Sequence, residues 1–164
     1  MEKTISRMAA LVAAVIVLAF AAISFTVGYQ YLRGTLETEA EINGRIATGF
    51  VNADPVHWRF QFNRLDELLT RRPVDRAAEV RRIVELDGTV IAASADELDS
   101  PVMVRRFGIR DSGRVVAWFE IHRSARPLII LTSLATLLGL LLAVAVAVVL
   151  RMLPLRALPA SLRT

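Results

Sequence analysis

Two stretches without a single charged residue, 8–28 and 127–150, constrain this chain more than any other feature, because all 36 of its Lys, Arg, Asp and Glu lie outside them. They hold 21 and 24 residues. At ~1.5 Å rise per residue, helices of those lengths reach roughly 31 and 36 Å, against a bilayer hydrocarbon core of ~30 Å. Lipid offers no partner to a backbone amide, so each stretch is expected to be a helix whose hydrogen bonds close internally. A cleaved signal peptide is the competing reading of the first, since Lys3 and Arg7 give it a basic start. Signal-peptide apolar cores, however, run only ~7 to 15 residues before a small-residue cleavage site. With 54% hydrophobic residues among 164 and a mean hydropathy of +0.47, the chain reads as two membrane spans around one modest domain.

A net charge of +4 and a sequence pI near 10.6 invite a nucleic-acid reading, which the placement of the charge removes. Residues 29–126 carry 15 Arg and 15 acids; the excess lies in residues 1–7, where Lys3 and Arg7 oppose Glu2, and at Arg151, Arg156 and Arg163. Short flanks with unopposed Lys and Arg stay in the cytoplasm, whereas a loop longer than ~60 residues crosses largely regardless of its charge. The sequence therefore predicts an inner-membrane protein with both termini cytoplasmic and its middle outside the cytoplasm. Its partner is the lipid bilayer, not nucleic acid. The chain has no Cys, so a domain outside the cytoplasm has no disulfide and relies on its core.

Between the spans the texture changes twice. Tyr29, Leu32, Leu36, Ala40, Ile46 and Phe50 approximate a helical stripe, which predicts a stalk over 29–53, with bends expected near Gly34, Gly44 and Gly49. Asn52-Ala53-Asp54-Pro55 reads as a stop and restart, Asp54 capping a helix over 54–72 in which Trp58, Phe62, Leu65 and Leu69 share a face and which Pro73 ends. Over 80–122, residues 83–86, 90–93, 102–107 and 115–122 predict four strands, the first two joined by a two-residue turn at Asp87-Gly88 and the last two through Asp111-Ser112-Gly113. The expected fold class is α+β: two transmembrane helices flanking a small domain of about two helices and a four-stranded antiparallel sheet. One sheet face would pack on helices and the other meet water or a ligand.

In this order the chain resembles the N-terminal input region of proteobacterial membrane sensors, namely sensor histidine kinases and diguanylate cyclases. The residues that carry the resemblance are Asn52-Ala53-Asp54-Pro55 to Trp58-Arg59-Phe60, Arg64-Leu65, the hairpin, Asp111-Ser112-Gly113, and His122-Arg123-Ser124-Ala125-Arg126-Pro127-Leu128 entering the second span. The resemblance implies a PAS-like or CACHE-like sensor module, and Leu153-Pro154-Leu155-Arg156-Ala157-Leu158 looks like the start of a HAMP-type linker, from which Pro159 departs. It also implies a homodimer, to which Ala10 and Ala14 would contribute a close helix contact, with Leu32, Leu36 and Phe50 near their symmetry mates. The sequence is expected to be the front part of a longer receptor, with a stand-alone input subunit as the alternative.

Nothing in the sequence points to catalysis. There is no Gly-rich nucleotide loop, no nucleophile elbow around any Ser and no cyclase signature, so no catalytic residue and no cofactor is expected. His57 and His122 are the only histidines and offer no metal-ligand spacing, so no metal is expected either. The candidate ligand-binding residues are Trp58, Arg59, Arg64 and Trp118, because aromatic faces beside guanidinium groups hold a small carboxylate or amine by stacking and paired hydrogen bonds. The alternative is that Trp58 packs on the sheet and Arg59 is solvated. The expected function is the input region of a two-component sensor histidine kinase, which relays a periplasmic cue, a small periplasmic ligand or a mechanical one, through the second span. The alternatives are a diguanylate cyclase input region and a non-signalling membrane docking or structural protein.

Overall fold

A computed structural model describes residues 2–70, 78–94 and 97–157; expectations that fall on Pro73 and on 158–164 lie outside it. The described chain is α+β, in the order α1 (Glu2–Ala53), a 3₁₀ turn (Trp58–Phe60), α2 (Phe62–Thr70), β1 (Glu79–Glu85), β2 (Val90–Ala93), β3 (Val102–Asp111), β4 (Arg114–Ser124) and α3 (Arg126–Ala157). The chain divides into two compact units, one of residues 1–29 with 128–164 and one of residues 30–127.

The first unit pairs the two apolar helical segments. Residues Arg7–Ala53 of α1 and Arg126–Val149 of α3 each contain a window long and apolar enough to cross a bilayer, with mean hydropathy 2.7 and 2.6. Where the two segments meet, Ala9, Leu128 and Ala143 are buried, and Gly139 lets Phe20 approach so closely that a Cβ there would come within 2.9 Å of the Phe20 Cβ. Small residues at such crossings gain van der Waals contact, the main attraction left between helices in lipid.

In the second unit residues 30–53 of α1, the 3₁₀ turn and α2 cover one face of a four-stranded antiparallel sheet of order β2-β1-β4-β3. Leu36, Ala40, Ala47 and Val51 of α1, Trp58, and Leu65, Leu68 and Leu69 of α2 bury against Ile83, Ile109, Ala117, Phe119 and Ile121. The period of 3.6 on the helix and of 2 on the strands gives each element one apolar face, and burying each large side chain contributes roughly 1.5–3 kcal/mol. Gly44 is buried where Phe107 crosses α1, so it serves close packing, and the expected bends at Gly34, Gly44 and Gly49 do not interrupt the helix.

Four expectations are corrected. Residues 54–72 are not one helix: Asp54 caps only a turn, Gln61 leaves the helical region at ψ 57°, and its carbonyl then accepts the amides of Arg64 and Leu65 to start α2 at Phe62. Phe62 is consequently exposed, and Leu68 joins Leu65 and Leu69 inside. The hairpin at Asp87-Gly88 has three loop residues, Leu86 to Gly88: Glu85 accepts the Gly88 amide and donates its own amide to the Thr89 carbonyl, the Thr89 amide donates to the Asp87 carboxylate, and Gly88 takes the positive φ of 93°. A two-residue turn with positive φ at both positions joins β3 to β4 instead, at Ser112-Gly113. Finally, Leu32, Leu36 and Phe50, expected to lie near their symmetry mates, pack against the sheet of their own domain.

The strands also run further than their apolar cores indicate. β1 begins at Glu79, β3 ends at Asp111, and β4 extends to Ser124. The chain does not form a simple meander, since β2 and β3 lie at opposite edges and the first and last strands pair in the middle.

Candidate functional site

β4 alternates across the centre of the sheet, so it separates two distinct constellations. Ala117, Phe119, Ile121 and Arg123 are buried on the helix-covered face, and Trp118, Glu120 and His122 stand on the open face. The four expected ligand-binding residues are therefore not brought together. Trp58 is a core residue 4% exposed, and Trp118 lies on the other side of the sheet. Arg59 stacks over Trp58 at 5.6 Å and reaches Glu85 at 3.2 Å across from β1, while Arg64 donates to the Gln61 side chain at 3.4 Å. Arg64 instead borders an open depression of about 460 Å³ with Phe60, Gln61, Phe62 and Asn63.

On the open face the register sets Arg82 of β1, Glu120 of β4 and Arg106 of β3 side by side. The next row sets Val84, Trp118 and Gly108 side by side, and the indole edge lies 3.5 Å from where a Gly108 Cβ would stand. Arg106 stacks on the Trp118 ring at 4.8 Å, an attraction worth roughly 0.5–1 kcal/mol when exposed. Glu120 holds His122 Nε2 at 3.1 Å, with both side chains largely covered. The guanidinium on Trp118 is that of Arg106, a residue outside the expected set.

The covered face ends in a buried group of charges. Glu39 of α1, Glu79 and Arg81 of β1 and Arg123 of β4 meet where the sheet runs out of apolar residues. One Arg123 Nη2 donates to Glu39 at 2.8 Å and to Glu79 at 2.5 Å, and Arg81 donates to the other Glu79 oxygen. Glu79, Arg81 and Arg123 are each 5% exposed or less. Burial raises the Glu39 carboxyl above the ordinary glutamate range; the Arg123 charge opposes that rise and the Glu79 charge adds to it. Buried charges persist only when paired, so this network fixes how α1 sits on β1 and β4. The sequence carried a signal for it: the alternation Phe119, Ile121 reaches Arg123 two residues on, and Ile83 leads back to Arg81 and Glu79 by the same step.

Among the described residues no three His, Asp or Glu side chains are arranged to hold a metal. Comparison of the chain with protein-family models, with curated proteins and with solved structures finds no match.

Proposed function

We propose that this chain is the signal-input region of a bacterial two-component sensor histidine kinase. In this reading α1 and α3 cross the inner membrane, residues 30–127 stand in the periplasm, and a cue acting there reaches the cytoplasm through α3. The observation that carries it is the join between sheet and helix. β4, a central strand, passes into α3 with only Ala125 between them, and the Ala125 amide is itself held by the Pro101 carbonyl at 2.8 Å. A change in the register of β4 is therefore passed along the backbone to the first residues of α3. The unopposed Lys and Arg beside each apolar helix support the orientation, and the sequence resemblance supports the kinase output. A cue can shift such a domain only by interacting differently with its two states. The open face, where Arg106 covers Trp118 beside Arg82, suits a small carboxylate or similar anion. The sensor acts as a homodimer through α1, on whose surface Ala10 and Ala14 are exposed.

Two experiments test this reading. Alkaline-phosphatase fusions are expected to be active at Ser112 and inactive at Thr164; the reverse pattern overturns the orientation. With the chain joined to the kinase core of a heterologous sensor, two glycines inserted between Ala125 and Arg126 should uncouple output from the periplasmic domain while leaving expression unchanged. Unaltered regulation after the insertion would favour a docking protein, which needs no such relay.

A further inference from the structure

The sheet ends in two edges of very different length: β2 has four residues and β3 ten, or about 34 Å of extended chain. An edge strand presents a row of unpaired amides and carbonyls, and domains usually keep such rows short or covered. In an antiparallel ladder alternate residues turn both backbone groups away from the neighbouring strand. On β3 two bonds mark which residues these are: Arg105 Nη1 donates to the Val104 carbonyl at 2.8 Å, and the Arg110 amide donates to the Thr48 hydroxyl of α1 at 3.2 Å. The extra residue at the irregularity beside Ile109 is Val116, on β4, so β3 keeps its alternation and Val102, Arg106 and Gly108 also face outward. α1 meets β4 at Glu39 and Phe107 at Gly44, and arrives at the outer edge with Thr48, beyond Gly108. Val102 and Val104, at the other end of the row, are 39% and 38% exposed.

We propose that the outer edge of β3, from Val102 to Gly108, docks an extended acidic segment of a partner protein, which adds to the sheet as a fifth strand with its carboxylates beside Arg105 and Arg106. The docking does not depend on the input reading; within that reading it gives the periplasmic cue a protein source.

Charge identifies the occupant. Elsewhere in the domain Arg33, Arg45, Arg59, Arg81, Arg123 and Arg126 are each bonded to a carboxylate. Arg105, Arg106, Arg110 and Arg114, along β3 and its turn, have no carboxylate partner among the described residues, and neither has Arg82, two strands away. Asp111 is the one acid within 102–114, and it accepts the Ser112 hydroxyl. A second copy paired edge to edge would bring these arginines against their own kind, which like-charge repulsion disfavours. An acidic strand meets the opposite condition. Arginines on an edge guard against indiscriminate pairing, and the same charges admit a strand that neutralises them.

Arg105 is the residue that changes on docking. Its guanidinium holds the Val104 carbonyl, which an amide of the added strand takes over, and the freed guanidinium then meets a carboxylate of that strand. Arg105 and Arg106 are consecutive and lie on opposite faces of the sheet, so the segment they select carries acids at adjacent positions. Beyond Gly108 the bond from Arg110 to Thr48 ends the free row. Main-chain hydrogen bonds fix the register of such a strand, and side chains on its two faces supply selectivity.

The test uses the full chain in neutral-lipid nanodiscs and a synthetic peptide of about nine residues, with an adjacent Glu-Glu pair flanked by Thr and Val, added up to about 1 mM. Amide exchange at Val104, Arg106 and Gly108, read by NMR, should slow at least about tenfold at saturation, while exchange in β2, on the other edge, stays constant. A peptide with Lys in place of Glu, and the acidic peptide N-methylated along its backbone, should give no protection. Val104→Pro removes an outward amide without breaking the ladder to β4 and should abolish docking. Arg105→Gln should weaken it about two- to fivefold. No protection by the acidic peptide, equal protection by the Lys or N-methylated peptide, or docking that survives Val104→Pro overturns strand addition. Protection that grows with chain concentration in the absence of peptide places a second copy on the edge and overturns the acidic partner. Protection by phosphatidylglycerol vesicles alone assigns the arginines to a lipid surface, with the same consequence. The N-methylated peptide keeps the test decisive on the wild-type chain if Val104→Pro folds poorly. The alkaline-phosphatase and glycine-insertion results are independent of all these outcomes.

Discussion

Ser112 carries its side chain at φ 47°, in the left-handed region where a Cβ crowds the following carbonyl. It shares the β3–β4 turn with Gly113 at φ 86°, and its hydroxyl donates to Asp111 at 3.1 Å. Replacing Ser112 with Gly removes the steric cost but frees the unfolded chain, so the expected net gain is at most about 1 kcal/mol. Gly88 is the reverse case, at φ 93° with open space around it. Gly88→Val meets no clash yet forces a β-branched residue into left-handed backbone, which should lower stability by about 1–2 kcal/mol. Thermal melts of the chain in micelles decide both. An unchanged melting temperature in Gly88→Val would mean that the loop relaxes to another turn. The core gives a larger scale for comparison, since Phe119→Ala, at a side chain with no exposure, should cost about 3–5 kcal/mol.

Among the elements, the segment between α1 and α2 depends on a single carboxylate. Asp54 accepts the His57 amide at 3.1 Å and the Gln61 side chain at 3.1 Å, and the His57 hydrogen bond is the main cause holding its carboxyl below the ordinary aspartate range. Its contribution is therefore present above the unfolded value of about 3.9 and fades as pH falls through the lower folded value. Asp54→Ala should melt at a lower temperature than wild type at neutral pH and at the same temperature in strong acid; a gap that persists there would assign the effect to packing. The same segment marks where sequence reading succeeds and fails. Asp54 was legible as a cap because its oxygen needs only a donor three residues on. The 3₁₀ turn was not, because the burial of Trp58 overrides the helical spacing that joined it to Phe62. Strand cores at Ile83, Phe119 and Ile121 were legible from alternation, whereas their ends were hidden by Glu79, Arg81 and Arg123, charged residues that read as solvent-facing until a partner from α1 is known. Pairing order was hidden too, since a hairpin signal identifies neighbours but not the crossing from β2 to the far edge. Of the candidate ligand residues, the face of Trp118 was legible from the alternation of β4, whereas helical spacing alone does not tell whether Trp58 meets a ligand or packs on the sheet, and it packs on the sheet.

At the scale of the whole molecule, the proposed homodimer must use a surface of α1 that the sheet leaves free. The core takes Leu36, Ala40, Ala47 and Val51, with Leu32, Ile46 and Phe50 packed beside them. Exposed on the remaining arc are Tyr31, Gly34, Thr38, Ile42, Arg45 and Gly49, spaced three or four residues apart as one stripe of a helix. Tyr31 and Ile42 are 74% and 53% exposed, and the glycines at 34 and 49 have open space where a Cβ would stand. That mixture of two apolar anchors and small residues permits close approach of a second α1, and the Arg45 charge is already matched by Glu41 at 2.7 Å. The chain contains no Cys, so single cysteines introduced over 30–50 report without background. Oxidative cross-linking in membranes should peak at 31, 38, 42 and 49, with a period of ~3.5 residues if the helices pack as a coiled coil. Position 36 should stay silent, because its side chain is fully buried in its own domain. Peaks at 32, 36 and 50 would instead require the sheet to leave α1 on dimerisation. Uniformly weak cross-linking along the helix would reject the dimer and favour a monomeric docking protein.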